Sequence, residues 1–190
     1  SGSSEVSVKE MVGAFSIYAN KGVYNAPMMV TKIEDKYGNV LANFYPESRE
    51  VITENTAFLM ANLLQGVVDE GTGRRLRFRY GFKNQIGGKT GTTQNHSDGW
   101  FIGITPDLAG GVWVGAEDRS IHFQNLANGQ GASMALPIWA LFMQKVYADK
   151  SLAVPQSDFQ KPNGVNHVLD CGDADREGMT DYDSSDEIFD

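Results

Sequence analysis

Gly87-Gly88-Lys89-Thr90-Gly91-Thr92-Thr93 lies in the first of three extended segments, Ile86 to Thr92, Trp100 to Thr105 and Gly111 to Ala116. Glycine, proline or polar turns separate the segments at the spacing of an antiparallel meander. Strand alternation puts Thr90 and Thr92 on one face and Lys89 on the other. Gly91 has no side chain, so a ligand backbone can approach the strand closely there. Two hydroxyls suited to a carboxylate, a nearby cation and free strand amides can together hold an extended peptide and stabilise a developing oxyanion.

The flanks of this sheet read as helical. Ser7 followed by Glu10 is a capping-box pattern, and Val8, Met11, Val12, Phe15 and Ala19 continue at helical spacing, which predicts a helix from Val8 to Asn20. Met28 to Ile33 and Val40-Leu41, joined through Tyr37-Gly38-Asn39, predict a hairpin. Thr53 caps a second predicted helix with the inward face Ala57, Met60, Leu63, Leu64 and Val67, stopped by Gly71-Thr72-Gly73. Ser133 precedes a third, Met134 to Ala148, with Pro137 in its first turn. Helices before and after an antiparallel sheet define an α+β domain with helices packed on the sheet.

Composition limits what else the chain can be. The 190 residues suit one sizeable core. The formal net charge of -8 comes from residues Asp158 onward, with ten acidic and two basic side chains, so the body is neutral and no nucleic-acid surface follows. Beyond Lys150 the sequence turns to Pro, Gly, Asp and Ser without periodicity, and 151–190 reads as an extended or disordered acidic tail. Ser1-Gly2-Ser3 reads as a cloning remnant, leaving 4–150 as the folded unit. The single cysteine, Cys171, excludes an intrachain disulfide. The longest apolar stretch, Met134 to Met143, falls far short of the roughly 20 residues that cross a bilayer.

Lys89-Thr90-Gly91 alone is a weak motif, but its frame is specific. Gly88-Lys89-Thr90-Gly91-Thr92-Thr93, Asp98-Gly99-Trp100-Phe101-Ile102-Gly103-Ile104-Thr105-Pro106 and Val112-Trp113-Val114-Gly115 together resemble the transpeptidase domain of class A penicillin-binding proteins, the bifunctional peptidoglycan synthases. Ala14 to Gly22, Ile33 to Leu41, Leu64 to Val68 with Gly71-Thr72-Gly73, and Ala135 to Trp139 extend the resemblance in the same order. It implies the sheet-side part of a penicillin-binding/β-lactamase-like fold and a serine D,D-transpeptidase that cross-links peptidoglycan stem peptides, needing no cofactor and no metal. Lys89 and Thr92 would be catalytic, Lys89 as the active-site cation and the Thr92 N–H as an oxyanion donor. Thr90, Gly91, Thr92 and Thr93 would bind substrate, the two hydroxyls of Thr90 and Thr92 holding the carboxylate of a D-Ala-D-Ala stem peptide or of a β-lactam. It also implies a periplasmic, membrane-anchored parent protein whose anchor lies outside this chain.

In one respect the chain departs from the family. No lysine has a serine three residues before it, and no Ser-x-Asn occurs. Both motifs precede the Lys-Thr-Gly strand in the family, so the expectation is a C-terminal part of the domain that is inactive alone. The N-terminal half would be its partner, meeting the exposed face of the Ile86 to Ala116 sheet. A β-lactamase or penicillin-sensing receptor of the same superfamily, or a non-catalytic binding module, stand as alternatives.

Other clusters carry less. Arg74, Arg75, Arg77, Arg79 and Lys83 place five cations in ten residues, read as a solvated face, with an anionic glycan or stem-peptide contact as the functional alternative. His96, Asp98 and His122 match no zinc spacing, and Asp173, Asp175, Asp181 and Asp183 lack the spacing to a glutamate that a calcium loop requires. Trp100, Phe101 and Trp113 read as core aromatics, and Asp98 as a turn cap.

Overall fold

The computed structural model describes residues 5–165. Its elements in chain order are α1 (Val8–Ala19), β1 (Val23–Asn25), β2 (Lys32–Glu34), β3 (Val40–Asn43), β4 (Ser48–Glu50), α2 (Glu54–Asp69), α3 (Arg75–Phe78), β5 (Gly87–Thr92), β6 (Asp98–Ile104), β7 (Ala109–Gly115), α4 (Leu126–Gly129) and α5 (Gly131–Ala148). The three-stranded antiparallel sheet runs in the order β5-β6-β7, as its turn spacing predicts. Its register pairs Thr92 with Gly99 and Asp98 with Gly115.

Helix packing divides this sheet into two unlike faces. On one lies α5, where Phe101, Leu136, Trp139, Ala140 and Met143 form the main core with Val68, Leu76 and Ile86. Gly103 and Gly110 make room for the Trp139 indole, which a side chain at either position would strike. On the other face Val8 and Val12 of α1 close over Gly111. Beside them a smaller core joins Ala61, Leu64 and Ile104 to Phe15, Tyr18 and Phe159.

Local chemistry explains the ends of the helices. The Ser7–Glu10 capping box forms, with the Ser7 N–H donating to the Glu10 carboxylate at 2.8 Å and the Glu10 N–H to Ser7 Oγ at 3.2 Å. Thr53 Oγ1 accepts from the Thr56 N–H at 3.2 Å at the start of α2. The buried line of α2 is Ala57, Ala61, Leu64 and Val68, rotated from the expected face, and Leu63 is 64% exposed. The close approach of α2 to Gly87 goes with the rotation: a Cβ at Gly87 would stand 3.0 Å from Leu64 Cβ and 3.4 Å from the Ala61 carbonyl oxygen, so the turn carrying Ala61 and Leu64 faces the sheet. Helix α5 starts at Gly131, three residues before its expected first residue, so Pro137 lies inside the helix rather than in its first turn.

Outside the main sheet, β2 and β3 form the expected hairpin, shorter on its first strand, while β1 pairs with β4, a pairing no alternation in those short polar segments announces. From Ser151 to Val165, the last of the described residues, the backbone forms no strand or helix, yet it stays against the body. Phe159 packs into the smaller core and its N–H donates to Gln85 Oε1 at 2.8 Å, and Val165 is buried. Two apolar side chains in a polar stretch are enough to dock it. Residues 1–3, Cys171 and the acidic cluster Asp173 to Asp183 lie outside the described residues.

Candidate active site

Strand β5 begins buried and ends exposed. Gly87 and Gly88 are buried because α2 and Phe101 press against them, whereas Lys89 and Thr92 are exposed. Among the described residues β5 has a strand neighbour on one side only, which leaves backbone groups of its outer edge for an added strand.

The alternation expected of Lys89, Thr90 and Thr92 gains definite partners. Thr90 Oγ1 lies 2.7 Å from Thr72 Oγ1, in the turn that follows α2. Thr92 Oγ1 accepts the Gly131 N–H at 3.0 Å, from the first residue of α5. The Gln130 side chain makes no capping bond, so the strand threonine does that work for the helix. That bond takes a lone pair and leaves the Thr92 hydroxyl proton for an outside acceptor, with the positive end of the α5 dipole behind it. Lys89 lies on the opposite face, across from Ile102, and its Nζ donates to the Thr90 carbonyl at 2.6 Å. Gly91 runs beneath the Trp100 side chain, against which an added Cβ would stand at 3.1 Å.

Thr93 does not join this surface. Its hydroxyl faces the β5–β6 turn, accepting the Asp98 N–H at 3.1 Å and lying 3.0 Å from Ser97 Oγ. Phe101 is core, but Trp113 is 42% exposed and Trp100 is half-buried, so two of the three aromatics expected inside line an open surface. The Asp98 carboxylate caps nothing; its backbone closes the turn.

Three contributors escaped the sequence reading. Thr72 was read only as part of a helix stop, although a hydroxyl between two glycines is a signal of a turn with a polar task. Arg75 belongs to the basic stretch read as a solvated face, yet it reaches inward to the Ala132 carbonyl at 3.0 Å and Ser133 Oγ at 2.9 Å, pinning the first turn of α5 behind Thr92. Arg77 likewise binds Asp69, with Nε to Oδ1 at 2.7 Å, and the carbonyls of Phe82 and Asn84. Only Arg74, Arg79 and Lys83 of that stretch are exposed. Gly131, the third, has no side chain to advertise its role.

Residues 1–132 match the family described as the penicillin binding protein transpeptidase domain. The chain belongs to that family. Penicillin-binding protein 1A of Aquifex aeolicus is 34% identical over 161 residues, covering 85% of this chain and 21% of that protein. Penicillin-binding protein 1A of Clostridium acetobutylicum is 33% identical over 161 residues, covering 84% of the chain and 18% of the relative. The transpeptidase-family chain thus spans about a fifth of the length of these relatives. In fold it is similar to the crystal structure of penicillin-binding protein 1A from Haemophilus influenzae, with a TM-score of 0.72 and 24% identity over 83% of this chain and 28% of that one. It is also similar to a Mycobacterium tuberculosis penicillin-binding protein solved with penicillin V, with a TM-score of 0.63 and 23% identity over 82% of this chain and 40% of that one. The expected resemblance to class A penicillin-binding proteins and the α+β architecture both hold. Among the described residues no helix is long and apolar enough to cross a membrane, and no cluster of metal-ligating side chains occurs.

Proposed function

We infer that this chain supplies the substrate strand of a serine D,D-transpeptidase acting on peptidoglycan stem peptides, and that the same strand receives β-lactams. The observation that carries the reading is the pair of anchored hydroxyls. Thr72 and the Gly131 N–H fix Thr90 and Thr92 at the exposed end of an edge strand, with the Thr92 proton available to a carboxylate. A stem peptide ending in D-Ala-D-Ala would lie along β5 as an added strand, its terminal carboxylate on the two hydroxyls. The Thr92 N–H would contribute to the oxyanion hole, and Lys89 would supply the positive charge that supports proton transfer.

The nucleophile belongs to a part of the protein outside this chain. A serine hydroxyl there attacks the penultimate D-alanine carbonyl, terminal D-alanine leaves with the proton the serine gave up, and an amine of a neighbouring strand resolves the acyl-enzyme. Such a reaction places the protein on the extracytoplasmic side, held by an anchor likewise outside this chain.

The test is the rate at which a fluorescent penicillin acylates a version of the protein extended to include a Ser-x-x-Lys motif of the domain. Thr92→Val keeps the volume, removes the hydrogen bond, and should slow acylation on the order of tenfold to a hundredfold. Lys89→Ala should slow it more. Unchanged rates in both variants would refute the assignment.

A further inference from the structure

The two hydroxyls at the exposed end of β5 are anchored to distant parts of the chain. Thr90 Oγ1 lies 2.7 Å from Thr72 Oγ1, in the turn after α2, and Thr92 Oγ1 accepts the N–H of Gly131, which opens α5. Such a pair bridges one carboxylate only if the two anchors are held at a set separation.

Each anchor is firmly seated. In the turn, a Cβ at Gly71 would stand 2.9 Å from the Val67 Cα, and the Gly73 N–H donates to the Val67 carbonyl at 2.8 Å. Leu76, fully buried, locks the next residues into the main core. Thr72 and Arg75, on this one short segment, therefore move together. At the start of α5, a Cβ at Gly131 would strike the carbonyl oxygens of Gly91 and Trp100, so the helix begins directly against the sheet. Ser133 Oγ donates to the Ala127 carbonyl at 2.7 Å and fixes the corner between α4 and α5.

Arg75 joins the two. Its Nη1 donates to the Ala132 carbonyl at 3.0 Å and to Ser133 Oγ at 2.9 Å, reaching 57 and 58 residues along the sequence. A circuit closes: Thr90 to Thr72, along the backbone to Arg75, across to Ala132, back to Gly131 and on to Thr92. A guanidinium suits this place because it stays charged at every working pH and its planar fork is stiff, so its bonds set a distance.

We propose that Arg75 is a positioning residue for carboxylate recognition. By tying the Thr72 turn to the first turn of α5, it sets the separation of the Thr90 and Thr92 hydroxyls and so favours ligands whose carboxylate bridges the pair. This rests on the reading above that these hydroxyls receive a substrate carboxylate. It goes beyond that reading by assigning the geometry of the pair to a residue that bonds to neither hydroxyl.

The test uses a version of the protein extended to include a Ser-x-x-Lys motif of the domain, and two β-lactams that differ only in the group at issue. One is benzylpenicillin, with a free carboxylate; the other is its methyl ester. Intact-mass spectrometry follows acylation by each. Arg75→Lys keeps the charge but replaces the flat fork with a flexible point charge, and should slow acylation by the penicillin about tenfold and by the ester less than about threefold. Thr92→Val should show the same selectivity. A generally loosened fold would instead slow both compounds alike, because it lowers the active fraction without regard to the ligand. Selective slowing in Thr92→Val but not in Arg75→Lys overturns this proposal alone; absence of selectivity in both variants overturns it together with the proposed function. Should Arg75→Lys not fold, Ser133→Ala removes one end of the brace with Arg75 in place. It should show the same selectivity at smaller size, and equal rates for wild type and Ser133→Ala on both compounds overturn the proposal.

Discussion

The two faces of the β5-β6-β7 sheet carry aromatic residues of similar size with opposite fates. Trp139, 1% exposed, is clasped between Phe101, Phe82 and the bare backbone of Gly103 and Gly110. Trp113, on the opposite face, lies over Gly115 and stays 42% exposed. The closed face holds the fold together. The other, which α1 covers over Ile102 and Gly111, leaves Lys89 and Trp113 exposed beyond that helix, which is how a surface built to meet something else is recognised.

Truncation should separate the faces most strongly. Trp139→Ala is expected to cost about 3–5 kcal/mol through lost burial and the cavity left in the main core. Trp113→Ala should cost clearly less, since its ring is 42% exposed and its removal leaves no enclosed cavity. Chemical denaturation of both variants checks this, and equal costs would break the contrast between the faces.

A smaller effect tests the brace behind the site. Arg75→Ala removes charged donors from the Ala132 carbonyl and Ser133 Oγ, with an expected loss of about 1.5–3 kcal/mol and faster amide exchange in the first turn of α5. Slower or unchanged exchange there would show that Arg75 is as incidental as the solvated-face reading held. Thr92→Val should cost this chain about 1 kcal/mol, because the Gly131 N–H loses its cap. A thermal melt unchanged by Thr92→Val would separate the strand from α5.

The smallest expected effect lies in the β2–β3 hairpin, which belongs to neither face. The Asp35 carboxyl is held below the usual aspartate range by the Asn39 side chain, then by the backbone N–H groups of Asn39, Tyr37 and Gly38. A depressed value means that the turn's stabilisation is present above the unfolded pKa, about 3.9, and is lost as the pH falls through the folded value. NMR titration of Asp35 from pH 6 downward should find it still ionised where ordinary aspartates are half protonated. A midpoint at or above the ordinary value would remove the hairpin's pH dependence.

Much of this was legible in the sequence, for identifiable reasons. Glycine and proline punctuation marked the three strands, the capping box marked the start of α1, and Lys89-Thr90-Gly91 within its aromatic frame pointed to the family. What stayed hidden depends on contacts between residues far apart in sequence. The Thr72–Thr90 pair spans 18 residues and the Gly131–Thr92 bond 39, and no periodicity encodes either. The face of α2 differs because apolar spacing puts Met60 and Leu63 inside, whereas the close approach to Gly87 puts Ala61 and Val68 there. Trp113 was misplaced because alternation says which face a residue is on, not whether a helix reaches far enough to cover it.

The central claim is that this chain holds the substrate strand of an acyl-transfer site and lacks its nucleophile. Intact-mass spectrometry after incubation with a penicillin tests it most directly. The account predicts an unchanged mass for this chain and, under the same conditions, one added drug molecule on a version extended to include a Ser-x-x-Lys motif of the domain. A stable increase of one drug mass on this chain alone would contradict it.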